Sequence, residues 1–144
     1  MTEAPGAKML KVVGVLMAIF GAIGVITGLI AVFGASVSQV LYYEMFRVEI
    51  GVATLVVDAL VGLIVAIVVL IAGIMGIKNA ADVSKAGMLK SLGIVCAILA
   101  VIRAVVGFIL LSALGIGAMA IVTLIFGLVL PILYILGASK NAAA

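Results

Sequence analysis

Histidine is absent from this 144-residue sequence, cysteine occurs once, and charged residues make up only 9% of the chain. Without histidine or a second cysteine there is no imidazole base, no cysteine cluster and no disulfide, so we expect no metal site. The sequence also carries no paired carboxylates and no glycine-rich turn between a strand and a helix that would hold phosphate. We therefore predict that the protein is not an enzyme and binds no cofactor.

The shortage of charge accompanies an excess of apolar residues, which reach 69% of the chain, against roughly 45–50% in soluble domains. So few charged residues cannot cover a water-facing surface, which excludes a soluble monomer. The net charge is +3, but the lysines are scattered at the ends of apolar stretches, as expected beside an anionic membrane surface. This pattern favours the lipid bilayer as a partner and argues against nucleic acid.

Four apolar stretches are long enough to cross a bilayer, since a spanning helix needs about 20 residues. Runs of Val and Ile would favour strands in water, but barrel strands are about half as long and alternate polar with apolar residues. We therefore predict an all-α integral membrane four-helix bundle that forms one domain. The predicted spans are residues 12–33, 50–77, 91–111 and 115–136, with an outer loop at 34–49 and a cytoplasmic loop at 78–90.

Basic residues predict the orientation of this bundle. Most of them precede the first span, lie between the second and third, or follow the fourth: Lys8, Lys11, Lys78, Lys85, Lys90 and Lys140. Because basic residues concentrate on the cytoplasmic side, we predict a multi-pass plasma-membrane protein with both termini cytoplasmic. In the outer loop, Tyr42, Tyr43 and Phe46 are expected at the membrane interface, on a short surface helix or an extension of the second span.

The two halves of the sequence share short matches. Met-Leu-Lys at 9–11 recurs at 88–90, and Lys-Asn-Ala-Ala at 78–81 recurs at 140–143. These matches predict an internal repeat of two helical hairpins, related by an axis along the membrane normal. Chance agreement between apolar sequences is the alternative.

Only two charged residues interrupt the predicted spans, Asp58 in the second and Arg103 in the third. Either one would cost about 2.5–3.5 kcal/mol at a helix centre facing lipid, so each needs a partner. Counted from the middle of the connecting loop, both lie in the outer half at heights that differ by roughly 7–8 Å, within reach of an arginine side chain. We predict a buried Asp58–Arg103 pair that clamps the two helices. Pairing between subunits and a binding or proton-relay site are the alternatives.

Small residues predict where the helices approach one another. Ordinary packing is the favoured interpretation, ahead of a dedicated dimerisation surface. Pro131 removes a helical hydrogen bond to the carbonyl of Gly127 and predicts a kink. The glycines assigned to helix packing are Gly14, Gly21, Gly24, Gly28, Gly62, Gly107 and Gly127.

The Met-Leu-Lys start, the glycine-rich first span, the repeated hairpin and the closing segment 130–141 resemble small uncharacterised four-span, tandem helix-hairpin membrane proteins of bacteria. The resemblance implies a plasma-membrane location and no particular activity. The chain lacks the paired cysteines of tetraspanin or claudin outer loops. Two functions remain open. One is a structural or accessory subunit that assembles with itself or another membrane protein through helix packing. The other is a small oligomeric transporter or channel using Asp58 as its membrane carboxylate.

Overall fold

A computed structural model of the protein describes residues 3–144, and within that range it contains helices and turns but no strand. The helices are α1 (Ala7–Phe33), α2 (Ala35–Phe46), α3 (Val52–Asn79), α4 (Ala86–Ala113) and α5 (Met119–Ala142). All except α2 are long and apolar enough to cross a membrane. The predicted all-α fold with four long apolar helices is confirmed, and it indicates a multi-pass membrane protein.

The bundle has two distinct ends. The start of α1, the end of α5 and the α3–α4 turn lie at one end, which we call the terminal end, and α2 lies at the opposite, loop end. At the terminal end, α1 begins at Ala7 rather than residue 12, and α4 at Ala86 rather than residue 91. The predicted spans begin where the apolar runs begin. The helices continue because each added residue gains one backbone hydrogen bond, and Leu, Met and Lys are good helix formers.

The connection between the third and fourth long helices is longer than the gap between the predicted spans, because α4 ends at Ala113 and α5 begins at Met119. Gly115 has φ +75°, which is the left-handed conformation that often ends a helix. Its N–H donates to the Ser112 carbonyl (3.0 Å), and the N–H of Ile116 donates to the Leu111 carbonyl (2.9 Å). These two bonds form a Schellman motif that ends α4 and turns the chain.

The predicted outer loop contains α2, so its aromatic residues lie on a short helix separate from α3. Arg47 ends α2 with a left-handed backbone, φ 55°, and its N–H donates to the Tyr43 carbonyl. The side chain of Gln39 donates to the Ile50 carbonyl at 2.9 Å. This bond fastens α2 to the segment that leads into α3.

The turn between α3 and α4 is stabilised by its own polar side chains. The Asp82 carboxylate accepts hydrogen bonds from the Ser84 backbone N–H (2.9 Å) and hydroxyl (2.5 Å). The hydroxyl bond is the main reason that the pKa of Asp82 lies below its ordinary value.

The long helices form a ring in the order α1, α3, α4, α5. Contact is most extensive between α1 and α3 and between α4 and α5, while the α3–α4 and α1–α5 contacts that close the ring are smaller. Each extensive contact therefore joins helices from the same half of the sequence. The internal repeat of two hairpins stays a prediction.

The buried core is concentrated near the terminal end. A small cluster at the loop end comprises Ala35, Ile50, Leu55 and Leu110. The main cluster comprises Ala7, Leu10, Val13, Met17, Ala72, Ala80, Leu89, Cys96, Tyr134 and Ala138. The charged residues of the spans lie between these two clusters, where the packing is looser.

Candidate functional site around the intramembrane charges

Asp58 and Arg103 both lie in the loop-end half of the bundle. Asp58 is within the first two turns of α3, which begins at Val52, and Arg103 is ten residues before the end of α4 at Ala113. Since α3 and α4 are antiparallel neighbours joined at the terminal end, these positions bring the two side chains to similar heights. The register of the two helices thus positions the pair.

The structure brings the two charges into direct contact. Arg103 Nη1 donates to Asp58 Oδ1, and Nη2 donates to Oδ2 at 3.2 Å. Two parallel bonds of this kind form a bidentate pair, the strongest arrangement for these groups. The side chain of Asp58 is 15% exposed and that of Arg103 is 33% exposed. The pair is therefore only partly enclosed by protein.

Gly62 leaves the space that the guanidinium occupies. It follows Asp58 by one helical turn, and a Cβ at this position would lie 3.2 Å from Arg103 Nε. Such a distance is tighter than ordinary van der Waals contact, so with a side chain at this position the arginine would have to shift by a few tenths of an ångström. Gly62 was predicted to serve helix packing in general, and its specific neighbour is the charged side chain.

A cavity of about 240 Å³ lies beside the pair, toward the loop end, and we call it the polar cavity. It extends to α2, so it lies between the charge pair and the loop end of the bundle. Its walls are Tyr42, Asp58, Arg103, Ala104, Gly107, Leu110, Leu111, Ala120 and Thr123.

A larger cavity of about 780 Å³ lies at the middle height of the spans, and we call it the apolar cavity. It shares Arg103 and Thr123 with the polar cavity. Its other walls come from α1, α3, α4 and α5: Met17, Phe20, Val65, Val69, Cys96, Ala100, Val122, Phe126, Gly127, Val129, Leu130 and Pro131.

The glycines predicted in the first span line the contact of α1 with α3. A Cβ on Gly14 would lie 2.9 Å from the Gly73 carbonyl oxygen, and one on Gly21 would lie 2.6 Å from the Leu70 backbone nitrogen. Gly24 and Gly28 meet the side chains of Ala66 and Leu63 in the same way, at 2.8 and 3.1 Å. A side chain at any of these positions would push the two helices apart.

The other predicted packing positions are less constrained. A Cβ on Gly107 would have only Arg103 of its own helix nearby, at 3.7 Å, and one on Gly127 would lie 3.8 Å from the Ala100 Cβ. Both distances are ordinary contacts. Pro131 is buried within a continuous α5, and the kink there stays a prediction.

Sequence reasoning missed a polar contact that joins the helix ends. The Asn141 side chain is fully buried; it accepts a bond from the Gly6 N–H (2.6 Å) and donates to the Ala80 carbonyl (2.8 Å). Nearby, the Tyr134 hydroxyl donates to the Ala72 carbonyl at 2.7 Å. The sequence signal for this contact was Asn141 itself. It lies in the Lys-Asn-Ala-Ala segment that was interpreted only as evidence for a repeat.

The chemistry of the site follows from these contacts. Asp58 and Arg103 form hydrogen bonds with each other. They also form part of the wall of the polar cavity, beside the apolar cavity. Within residues 3–144, no three His, Cys, Asp or Glu side chains come together as a metal-binding group. Comparison with protein-family models, with curated proteins and with solved structures finds no match to this chain.

Proposed function

We propose that this protein is a structural or accessory subunit in the membrane and that the Asp58–Arg103 pair clamps its helices. The observation that carries the proposal is the bidentate bond between these residues. Each charge has the other as its partner, which leaves a neutral unit inside the bundle.

The position of the pair suits a clamp. It joins α3 to α4, whose contact is less extensive than those of α1 with α3 and α4 with α5. The connecting turn at residues 80–85 holds these helices together only at the terminal end. A second link in the loop-end half favours one register, because sliding one helix along the other would disturb the bidentate geometry of the pair.

The surface at the loop end offers a contact for another membrane protein or a second copy of this chain. Helix α2 exposes apolar side chains, of which Val37, Val40, Leu41 and Met45 are each more than half exposed. These residues follow directly on a membrane span, where a partner or lipid is available to cover them. Assembly through this face and through the spans is the activity that we propose.

The charge distribution supports a plasma-membrane protein with cytoplasmic termini. The described lysines, from Lys8 to Lys140, belong to the terminal end, while Arg47 belongs to the loop end. The positive-inside rule therefore assigns the terminal end to the cytoplasm.

A double-mutant cycle tests the clamp. We expect Asp58→Asn or Arg103→Gln alone to lower the free energy of unfolding by about 2 kcal/mol, less than the roughly 3–5 kcal/mol of a fully enclosed pair. The double variant should lose clearly less than the sum of the single variants, because neither charge is then left alone. The measurement is equilibrium unfolding in detergent micelles, followed by helix content. Strictly additive losses would refute the clamp.

One observation favours the transporter alternative: Asp58 also forms part of the wall of the polar cavity. If a small oligomeric transporter or channel uses this carboxylate, Asp58→Asn should fold yet abolish pH-dependent or cation-dependent flux in proteoliposomes. The wild-type protein and the double variant complete the comparison. Absence of such flux in wild-type proteoliposomes, or unchanged flux in Asp58→Asn, would exclude transport through Asp58.

A further inference from the structure

The polar and apolar cavities meet at Arg103 and Thr123, and their walls differ in chemistry. We propose that together they bind a single-chain amphiphile from the bilayer. Its small, uncharged, hydrogen-bonding head, a hydroxyl or carbonyl, occupies the polar cavity, and its hydrocarbon tail occupies the apolar cavity. This role goes beyond assembly and does not depend on the clamp.

The apolar cavity is open to the surroundings between α1 and α5. These helices meet at the terminal end, where Gly6 bonds to Asn141 and a Cβ on Gly137 would lie 3.1 Å from the Leu10 side chain. Farther along, Phe20 of α1 and Phe126 of α5 form part of the cavity wall, yet they are 57% and 74% exposed. At the middle height of a spanning bundle the surroundings are hydrocarbon. A molecule dissolved in the bilayer therefore has direct access.

The apolar cavity suits a hydrocarbon chain. Its volume of about 780 Å³ falls within the roughly 300–1,000 Å³ typical of small-molecule sites. Apart from Arg103 and Thr123, the side chains on its wall are apolar. Left empty, such a space would deprive these side chains of dispersion contacts on one side. Both the volume and the wall favour an occupant of acyl-chain dimensions.

The polar cavity suits a head that forms hydrogen bonds without carrying charge. The Thr123 hydroxyl donates to the Met119 carbonyl at 2.9 Å, which leaves its oxygen free to accept. The Arg103 guanidinium has N–H groups beyond the two that bond to Asp58. Because the pair is neutral overall, a charged head would gain from one partner and be repelled by the other, while losing its hydration. A hydroxyl or carbonyl avoids this cost.

The order of the cavities matches the orientation of lipids in one leaflet. The polar cavity extends to Tyr42 on α2, toward the loop end, whereas the apolar cavity lies at the middle of the spans. An amphiphile lying in both would place its head toward the membrane interface and its tail toward the bilayer centre. It could enter between α1 and α5 without inverting.

Photolabelling tests the proposal with the full-length protein in phosphatidylcholine liposomes. The probe is a 16-carbon alcohol with a diazirine in its chain. We expect saturable labelling of residues on the apolar cavity wall, displaced by unlabelled hexadecanol. Gly127→Leu should remove this labelling, because Gly127 lies on the cavity wall, where a Cβ would meet only the Ala100 Cβ at an ordinary 3.8 Å, and the added side chain takes up cavity volume. The matched control is Ile125→Phe, which adds bulk on the same helix at an exposed position outside the cavity wall.

Two further probes carry the same diazirine chain with a permanently charged head, trimethylammonium or sulfonate. We expect each to label the wild-type cavity roughly tenfold less efficiently than the alcohol, because a net charge is costly at this depth. Equal labelling by all three probes would overturn the proposal, since the cavity would then accept any lipid chain. Non-saturable labelling of the wild-type protein would also overturn it, whether or not Gly127→Leu folds. Crosslinking that places the cavity wall at an interface between two copies would overturn it as well.

Discussion

A single buried amide, that of Asn141, joins three segments at the terminal end. Its side chain accepts a bond from the Gly6 N–H, which precedes α1, and donates one to the Ala80 carbonyl, which follows α3. Asn141 itself belongs to the last turn of α5. Within residues 3–144, no buried side-chain polar atom is without a hydrogen-bond partner. The terminal end therefore combines apolar packing with hydrogen bonds to its buried side chains, as required where water is scarce.

We predict that Asn141→Ala destabilises the protein by about 2–6 kcal/mol, because it leaves the Gly6 N–H and the Ala80 carbonyl without partners at about 1–3 kcal/mol each. Asn79→Ala is the matched control, since Asn79 lies in the other Lys-Asn-Ala-Ala segment and its side chain bonds only to the Met75 carbonyl of its own helix. The control should cost about 0.5 kcal/mol or less. Unfolding in detergent gives the loss of stability of each variant. Asn141→Ala should also speed amide hydrogen exchange at Gly6. Equal losses in the two variants would contradict the assignment.

At the scale of helices, glycine content alone does not identify a close contact. Gly21 and Gly127 were both predicted to pack helices, but only Gly21 faces the backbone of a neighbouring helix. Small residues permit close approach without saying which pairs of helices use it. Whether a glycine faces a neighbouring helix depends on the rotation and tilt of the helix that carries it.

Substituting these two glycines by alanine should give opposite results. Gly21→Ala would place a Cβ 2.6 Å from the Leu70 nitrogen, so we expect a loss of about 1–3 kcal/mol as α1 and α3 separate. Gly127→Ala meets only the Ala100 Cβ at 3.8 Å, so it should be neutral or gain up to about 1 kcal/mol from helix propensity. Unfolding free energies of the two variants in the same detergent provide the comparison. A neutral Gly21→Ala would show that the helices are not held this closely.

Long apolar runs were sufficient to predict four helices that are long and apolar enough to span a membrane, because hydrophobic length constrains the backbone strongly in lipid. Counting residues from the α3–α4 turn was also sufficient to anticipate that Asp58 and Arg103 lie at comparable heights. The Asn141 contacts and the cavities could not be predicted in this way. They depend on which residues face each other across different helix pairs, and the periodicity of one helix does not contain that information.

At the scale of the whole molecule, the packing is uneven along the membrane normal. The main apolar cluster and the Asn141 contacts hold the terminal end together, whereas the charge pair and the polar cavity lie toward the loop end and the apolar cavity lies at the middle height. Small sliding or opening motions require loosely packed regions, and these occur in the loop-end half. The proposed clamp belongs to that half, and so does the polar cavity of the proposed amphiphile site. If the clamp acts as proposed, it limits how far this half can open.

Orientation in the membrane decides which leaflet supplies the amphiphile. We predict that a cysteine introduced at Ala143 reacts with a membrane-impermeant maleimide only after cells are permeabilised, whereas one introduced at Ser36 reacts in intact cells. Both positions are exposed and lie at opposite ends of the bundle. The native Cys96 is fully buried in α4 and stays in place as an internal background control. The physical basis is the concentration of lysines at the terminal end. Labelling of Ala143→Cys in intact cells, with Ser36→Cys protected, would reverse the orientation and would draw the amphiphile from the cytoplasmic leaflet instead.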